Sequence, residues 1–211
     1  MVNRNSDKLQ KISDIFSVCL MNVLYSERLK RASITDGLTG TNNRRFFDQR
    51  FYEEISYSQR TKQPLTCLFF DVDHFKKVND TYGHQAGDIV LRKIANIIRR
   101  HLRVNDVLAR YGGEEFAALL INTSSNAAYE IAERTRECIS QYDFIPSFGG
   151  PISVTISIGM ATLHPPAPED DPEEVGVGLL RQADVSLYRA KSNGRNCVSN
   201  HSIHKLTAVS A

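Results

Sequence analysis

Val107-Leu108-Ala109-Arg110-Tyr111-Gly112-Gly113-Glu114-Glu115-Phe116-Ala117-Ala118-Leu119-Leu120-Ile121 is two short apolar runs separated by paired glycines. Residues 107–111 and 116–121 read as the arms of a β-hairpin, because paired glycines accept the positive φ of a tight turn. Such a turn does not need two adjacent acids. Glu114 and Glu115 are therefore candidate functional groups on the hairpin tip.

Outward from the hairpin, the pattern alternates between elements. Upstream, Phe47, Phe51 and Ile55 recur at i, i+4, i+8 and predict a helix. Pro64 precedes an apolar run at residues 65–70, whose length suits a buried strand ending in Asp71-Val72-Asp73. A turn then leads to a helix around residues 86–101, with Val90, Ile94, Ile97 and Ile98 inward. Downstream, a helix at residues 125–141 buries Ala128, Ile131, Ala132, Thr135 and Ile139. Ile152, Val154, Ile156 and Ile158 alternate as a half-buried strand. Residues 164–178, rich in Pro, Asp and Glu, predict a solvated loop, and a last helix at 180–192 stops at Asn193-Gly194. Hairpins mixed with crossovers imply an α+β domain on one mixed, largely antiparallel sheet.

At 211 residues the chain has room for one sizeable domain and a small appendage. Hydrophobic content of 41% and charged content of 24% are ordinary for a globular protein. A formal net charge of +2 is too small to argue for nucleic acid or an anionic membrane as partner, and no nucleic-acid partner is expected. Cys19, Cys67, Cys138 and Cys197 are scattered without a Cys-x-x-Cys pair, which fits a reducing cytoplasm. No apolar run is long enough to span a bilayer, and Asp7, Lys8, Lys11 and Asp14 interrupt any secretory signal. The expectation is a cytoplasmic protein.

Residues 1–35 form a separate piece. Leu9, Ile12, Phe16, Cys19 and Val23 follow a 3-4-3-4 spacing suited to a coiled coil, so a dimerising or signalling helix is expected. It has the character of an exit segment from a missing upstream sensor. Residues 36–198 form the main domain, and 199–211 a frayed tail with little to pack.

Two acidic clusters, Asp71 with Asp73 and Glu114 with Glu115, would meet if their strands are neighbours. Such a cluster favours a divalent cation with hard oxygen ligands, such as Mg²⁺. Lys76, Lys77, Lys191 and Arg195 lie where they would serve a nucleotide's phosphates. Asn79 and Asp88, either side of Gly83-His84, offer the amide and carboxylate that pair with a guanine edge.

Arg110-Tyr111-Gly112-Gly113-Glu114-Glu115-Phe116 resembles the signature of the GGDEF family of diguanylate cyclases, in its GGEEF form. Three further blocks agree in order and spacing. They are Asp36-Gly37-Leu38-Thr39-Gly40 with Asn43-Arg44-Arg45; Asp71-Val72-Asp73-His74-Phe75-Lys76 with Asn79-Asp80 and Gly83-His84 to Gly87-Asp88; and Ala183-Asp184 with Leu187 to Lys191 and Gly194-Arg195-Asn196. The resemblance covers residues 36 to about 198.

It implies a five-stranded, nucleotide-cyclase-like sheet wrapped by helices. It implies that Asp71, the Val72 carbonyl, Glu114 and Glu115 serve two Mg²⁺ or Mn²⁺ ions per half-site, with Glu114 and Glu115 the catalytic acids. Phe75, Lys76, Asn79, His84, Asp88, Lys191 and Arg195 would bind GTP. Two subunits, each with one GTP, would face each other and form cyclic di-GMP and two pyrophosphates. Arg103-Val104-Asn105-Asp106 has the Arg-x-x-Asp spacing of the family's product-inhibition site, with Arg134 contributing from the next helix. Thr41 departs from the leucine usual there. No Glu-Ala-Leu phosphodiesterase signature is present, so hydrolysis of the dinucleotide is not expected. A silent sensor binding cyclic di-GMP through Arg103 and Asp106 is the competing reading. A purely structural dimerisation domain is the third, and it leaves the acids unexplained. The retention of Asp71, Asn79, Asp88, Glu114, Glu115 and Lys191 favours the enzyme.

Overall fold

The computed structural model describes residues 16–22, 34–144, 151–165, 167 and 170–203, the side chains of 202 and 203 excepted. The chain divides into two compact units, Met1–Thr35 and Asp36–Ala211. In the first unit residues 16–22 are helical, and Phe16, Val18, Leu20 and Met21 are exposed. The rest of the expected coiled-coil stretch, including Leu9, Ile12 and Val23, lies outside the described residues. No described helix is long and apolar enough to cross a membrane.

The second unit is built from β1 (Asn42–Asn43), α1 (Arg44–Thr61), β2 (Leu65–Val72), α2 (Phe75–Tyr82), α3 (His84–His101), β3 (Val107–Arg110), β4 (Glu115–Ile121), α4 (Ser125–Ser140), β5 (Ile156–Leu163), α5 (Pro172–Ser192) and β6 (Val198–Ile203). The sheet order is β1-β3-β4-β2-β5-β6. The four central strands run antiparallel, and the edge pairs β1–β3 and β5–β6 are parallel. The architecture is thus α+β with a mixed sheet, and the sheet has six strands rather than the five expected.

Every residue of β2 is buried, and its side chains alternate between two cores. Leu68, Phe70 and Val72 pack with α2, α3 and α4 on one face. Leu65, Cys67 and Phe69 pack with Phe47, Phe51 and Ile55 of α1 and Leu179, Ala183 and Leu187 of α5 on the other. Full burial of each such side chain contributes about 1.5–3 kcal/mol relative to exposure. The period of two has a further effect. Asp71 shares the parity of Cys67 and Phe69, so the pleat delivers it to the face covered by α5.

Several boundaries differ from the sequence reading. The loop expected at 164–178 is shorter, because α5 begins at Pro172. Asp171 caps it by accepting from the Glu173 N–H at 3.0 Å, Pro172 takes the first turn, and Glu173 and Glu174 complement the helix dipole. A short helix, α2, occupies the stretch read as a turn after Asp73. The fifth strand is shifted to Ile156–Leu163 and is buried throughout, because helices cover both its faces. Ile152, expected within it, makes only an isolated bridge to Phe144. The tail expectation fails for residues 199–203, which continue β6 along the edge of β5. Main-chain pairing with β5 runs along this segment, whose residues 199–202 are polar, so hydrophobic periodicity gives little sign of it.

Gly159 on β5 marks the closest approach of α5 to the sheet. A Cβ there would overlap the backbone of Ala183 and Leu187, which cannot swing aside. Gly159→Ala is expected to destabilise the fold by about 1–3 kcal/mol, the usual range for overpacking. In urea this would appear as a lower midpoint at unchanged slope, and an unchanged midpoint would contradict the close approach.

Candidate active site

The predicted meeting of the two acidic clusters depends on neighbouring strands, and β2 pairs with β4 so that Asp71 lies opposite Glu115. The Val72 N–H donates to the Glu114 carbonyl at 3.3 Å, which ties the end of β2 to the hairpin tip. Lys191, in the last turn of α5, places Nζ 2.7 Å from Asp71 Oδ2. Burial, and after it the neighbouring Asp73 charge, push the Asp71 carboxyl above its ordinary range, while Lys191 and then Arg195 pull against them. Glu114 is also raised, first by burial, then by the charges of Asp71 and Glu115, with Lys191 opposing.

Two hard oxygen donors that repel one another and already attract an ammonium suit a divalent cation. Asp71 and Glu114 therefore fit such an ion, although among the described residues no three Asp, Glu, His or Cys side chains converge in ligating geometry. The hydrogen bonds of Asp73 run elsewhere. Its Oδ1 accepts from Ser157 Oγ at 2.6 Å, and its Oδ2 from Thr155 Oγ1 at 2.7 Å and the Asn196 N–H at 3.1 Å.

The hairpin tip is shaped by contacts other than those expected. Among the described residues, positive-φ glycines occur at Gly40, Gly83 and Gly194, and neither Gly112 nor Gly113 is one of them. At Gly112 a Cβ would meet the far end of the Glu115 side chain, a contact that a swing of that carboxylate would relieve. The Tyr111 and Gly112 N–H groups both donate to the Glu115 carbonyl, at 2.8 and 3.2 Å. Arg110 donates to the Gly113 carbonyl from Nε at 3.1 Å and Nη2 at 2.6 Å, and its Nη1 reaches both Asp36 oxygens at 3.3 Å. Burial alone would raise the Asp36 carboxyl, but donors from Thr39 and then the Arg110 charge hold it below its ordinary value. The departure at Thr41 joins this network. It is buried, and its hydroxyl lies 2.8 Å from that of Thr39.

The expected guanine readers lie on two helices. Asn79 is on α2, and Asp88 is one turn into α3, with exposed His84 starting that helix. The helices approach closely because Gly87 lacks a side chain. A Cβ there would collide with the Asn79 amide and sit 3.1 Å from the Phe75 ring. Phe75 itself is buried in the core, so its ring is a packing group. Lys76 is exposed on α2. Arg195 follows Gly194 in a left-handed turn and acts electrostatically on Asp71.

The Arg-x-x-Asp segment stands apart from this cluster in the fold, in the turn between α3 and β3. Asp106 Oδ2 accepts from the Arg103 N–H at 2.8 Å and Oδ1 from the Ile121 N–H at 3.2 Å. Arg103 is exposed beside a cavity of about 460 Å³ that Gly40, Asn42, Arg99 and Asp106 also line. Arg134 is exposed on α4, near enough to His101 to add to the lowering that burial imposes on that imidazole.

Sequence reasoning missed three features: Gly87, the Asp36–Arg110 bridge, and the roles of Asp73 and Asn196. Gly87 precedes Asp88 on a helix that shows no other interruption, which is a detectable sign of close approach. The bridge joins residues 74 positions apart and leaves no local sign.

A mixed sheet between helical layers, with carboxylates and cations at the ends of its central strands, defines an α+β domain of nucleotide-cyclase type. The chain belongs to the GGDEF family: the profile described as "Diguanylate cyclase, GGDEF domain" matches residues 33–197. It is 38% identical over 191 residues to diguanylate cyclase A of Treponema denticola, covering 89% of this chain and 49% of that protein. It is 38% identical over 183 residues to diguanylate cyclase DosC of Escherichia coli, covering 86% of this chain and 38% of that protein. The chain thus spans half or less of these curated relatives. The solved coiled coil and GGDEF domain of DgcB from Caulobacter crescentus, in complex with c-di-GMP, is similar with a TM-score of 0.82 at 29% identity, covering 90% of this chain and 97% of that one.

The raised Glu114 carboxyl has a consequence for stability. The folded protein holds this proton more tightly than the unfolded chain, so the group lowers stability as pH rises from about 4.3 through its folded value. Without divalent ions, Glu114→Gln is expected to melt above the parent at pH 7, with the gap closing near pH 4. A lower melting temperature at pH 7 would count against the crowded-acid reading.

Proposed function

We propose that residues 36–198 are a diguanylate cyclase domain that condenses two GTP into cyclic di-GMP and two pyrophosphates. The observation that carries this reading is the approach of Asp71 and Glu114 at the ends of paired strands, with Lys191 and Arg195 beside them. Membership of the family and the named cyclases among its relatives support it.

In this reaction each ribose 3′-oxygen attacks the α-phosphorus of the other nucleotide, the bond from that phosphorus to the bridging oxygen breaks, and pyrophosphate leaves. The site binds one GTP per subunit, and two subunits of a homodimer face each other to complete it. Lys76, Lys191 and Arg195 hold the triphosphate, and the Phe75 main-chain N–H at the start of α2 adds a donor. Asp88 accepts from the guanine N–H edge, Asn79 donates to the base, and His84 lies nearby. Mg²⁺ or Mn²⁺ held by Asp71, the Val72 carbonyl and Glu114 would supply charge stabilisation on the phosphate oxygens. Glu114 takes the hydroxyl proton, and Glu115 orients the tip through its packing on Gly112. Residues 1–35 serve as the dimerising link to an upstream sensor, with the catalytic domain placed in the cytoplasm.

The Arg103–Asp106 turn, with Arg134, binds cyclic di-GMP and inhibits the enzyme. Asp106 already braces the turn, which leaves the Arg103 guanidinium exposed for phosphate or guanine.

Incubation with GTP and Mg²⁺ should release pyrophosphate at micromolar protein, and no turnover would sink the reading. Glu114→Gln should lose on the order of 10² or more in kcat, as for removal of a group that stabilises the transition state, and wild-type turnover would transfer the role to Glu115. Arg103→Ala should keep the initial rate while product inhibition is relieved. Unchanged inhibition in progress curves would refute the regulatory site.

A further inference from the structure

Gly194, Arg195 and Asn196 have φ of +102°, +66° and +44°, so three consecutive residues are left-handed and two of them carry a Cβ. L-residues adopt this region reluctantly, and two in succession persist only where surrounding contacts over-determine them. The contacts here come from two sides. The Asn196 N–H donates to Asp73 Oδ2 at 3.1 Å, and Arg136 Nη1 of α4 donates to Asn196 Oδ1 at 2.9 Å. The Arg195 N–H donates to the Ala190 carbonyl at 3.1 Å and closes the turn onto the end of α5.

Each anchor is itself held. Asp73 is buried and takes Ser157 and Thr155 as further donors, so its carboxylate is aimed by the start of β5 and the residue before it. Arg136 is mostly buried and is braced on its own helix by Glu133 Oε2, 2.9 Å from Nε. Asn196 is thus clasped between Asp73, just past β2, and Arg136 in the C-terminal half of α4, with its neighbour Arg195 close enough to act on Asp71.

We propose that Asp73 and Arg136 are positioning residues that hold the 194–196 turn left-handed so that Arg195 meets the triphosphate. The inference rests on the reading of Arg195 as a triphosphate ligand. It assigns work to an acid of the Asp-x-Asp pair that the metal reading leaves idle, and to an arginine on a helix outside the phosphate-binding set.

The clasp acts on the β- and γ-phosphate end of the nucleotide. Loosening it should weaken a triphosphate without affecting guanosine monophosphate, which retains the base and the α-phosphate. Two variants separate this from a general loss of fold. Arg136→Met removes the donor. Asn196→Gly removes the acceptor while accepting positive φ without strain, and a loss it shares with Arg136→Met is assigned to the missing bridge.

The test is calorimetric titration of the full chain, with Mg²⁺, using guanosine triphosphate that carries methylene between its α- and β-phosphates. Each variant should weaken this ligand about tenfold, with the monophosphate affinity unchanged. In an Arg195→Ala background neither change should weaken it further, because all three act through one guanidinium. Equal weakening of both nucleotides, or losses that add to that of Arg195→Ala, would overturn the proposal. If Arg195→Ala alone leaves the triphosphate affinity intact, the reading of Arg195 fails first and the clasp falls with it. Tight binding in both clasp variants with Arg195→Ala impaired would overturn the clasp alone.

Discussion

A carboxylate at the end of a strand buried on both faces must be compensated, and Asp71 sets that constraint on everything around it. The strand cannot be moved, because its even and odd residues are committed to two cores. Its pairing with β4 brings a second acid, Glu114, to the same edge, and this raises the cost rather than lowering it. Compensation arrives from α5, whose last turn carries Lys191 and which lies so close to β5 that Gly159 has no room for a side chain. Lys191 thereby offsets part of the charge that Asp71 and Glu114 bring to this strand end.

The hairpin tip depends on that arrangement less than the sequence suggests. Its glycines do not serve a left-handed turn; Gly112 lies against the Glu115 side chain, and the carbonyl of Gly113 is gripped by Arg110. Arg110 in turn is held by Asp36, the first residue of the second unit. The tip is therefore braced from the start of its own domain.

What was legible in the sequence follows from what leaves a local trace. The short apolar run at residues 65–70 and the helical stripe of Phe47, Phe51 and Ile55 are direct images of the cores they enter. Asp71, Glu114 and Lys191 were readable as a set because four sequence blocks keep their order, and the structure brings these three together. The start of α5 was misread, although Asp171, Pro172, Glu173 and Glu174 are a cap, a first-turn proline and two dipole-matched acids. The surrounding Pro-rich composition disguised it as loop. β6 and α2 left weak traces, one held by main-chain pairing and the other an eight-residue helix with few apolar positions. Asp73 was misread because its sequence neighbour Asp71 suggests shared chemistry, whereas its partners lie 82 to 123 residues away.

Backbone strain gives an independent view of the same centre. Among the described residues, five non-glycine positions have positive φ: Lys62, His74, Asn122, Arg195 and Asn196. Lys62 caps the end of α1, where a left-handed residue is ordinary. Asn122 follows the last residue of β4, and asparagine tolerates this conformation better than most. The other three gather at one carboxylate, because His74 follows Asp73 in the chain and Asn196 donates its N–H to it. Left-handed residues cost about 1–2 kcal/mol each, so strain of this size is retained where contacts on every side leave the backbone no alternative. Asp73 supplies those contacts with three donors on a buried carboxylate and with its own N–H to the Thr155 carbonyl at 2.9 Å. Asp73 in this way ties the residue after β2, the start of β5 and the Arg195 turn to one buried carboxylate.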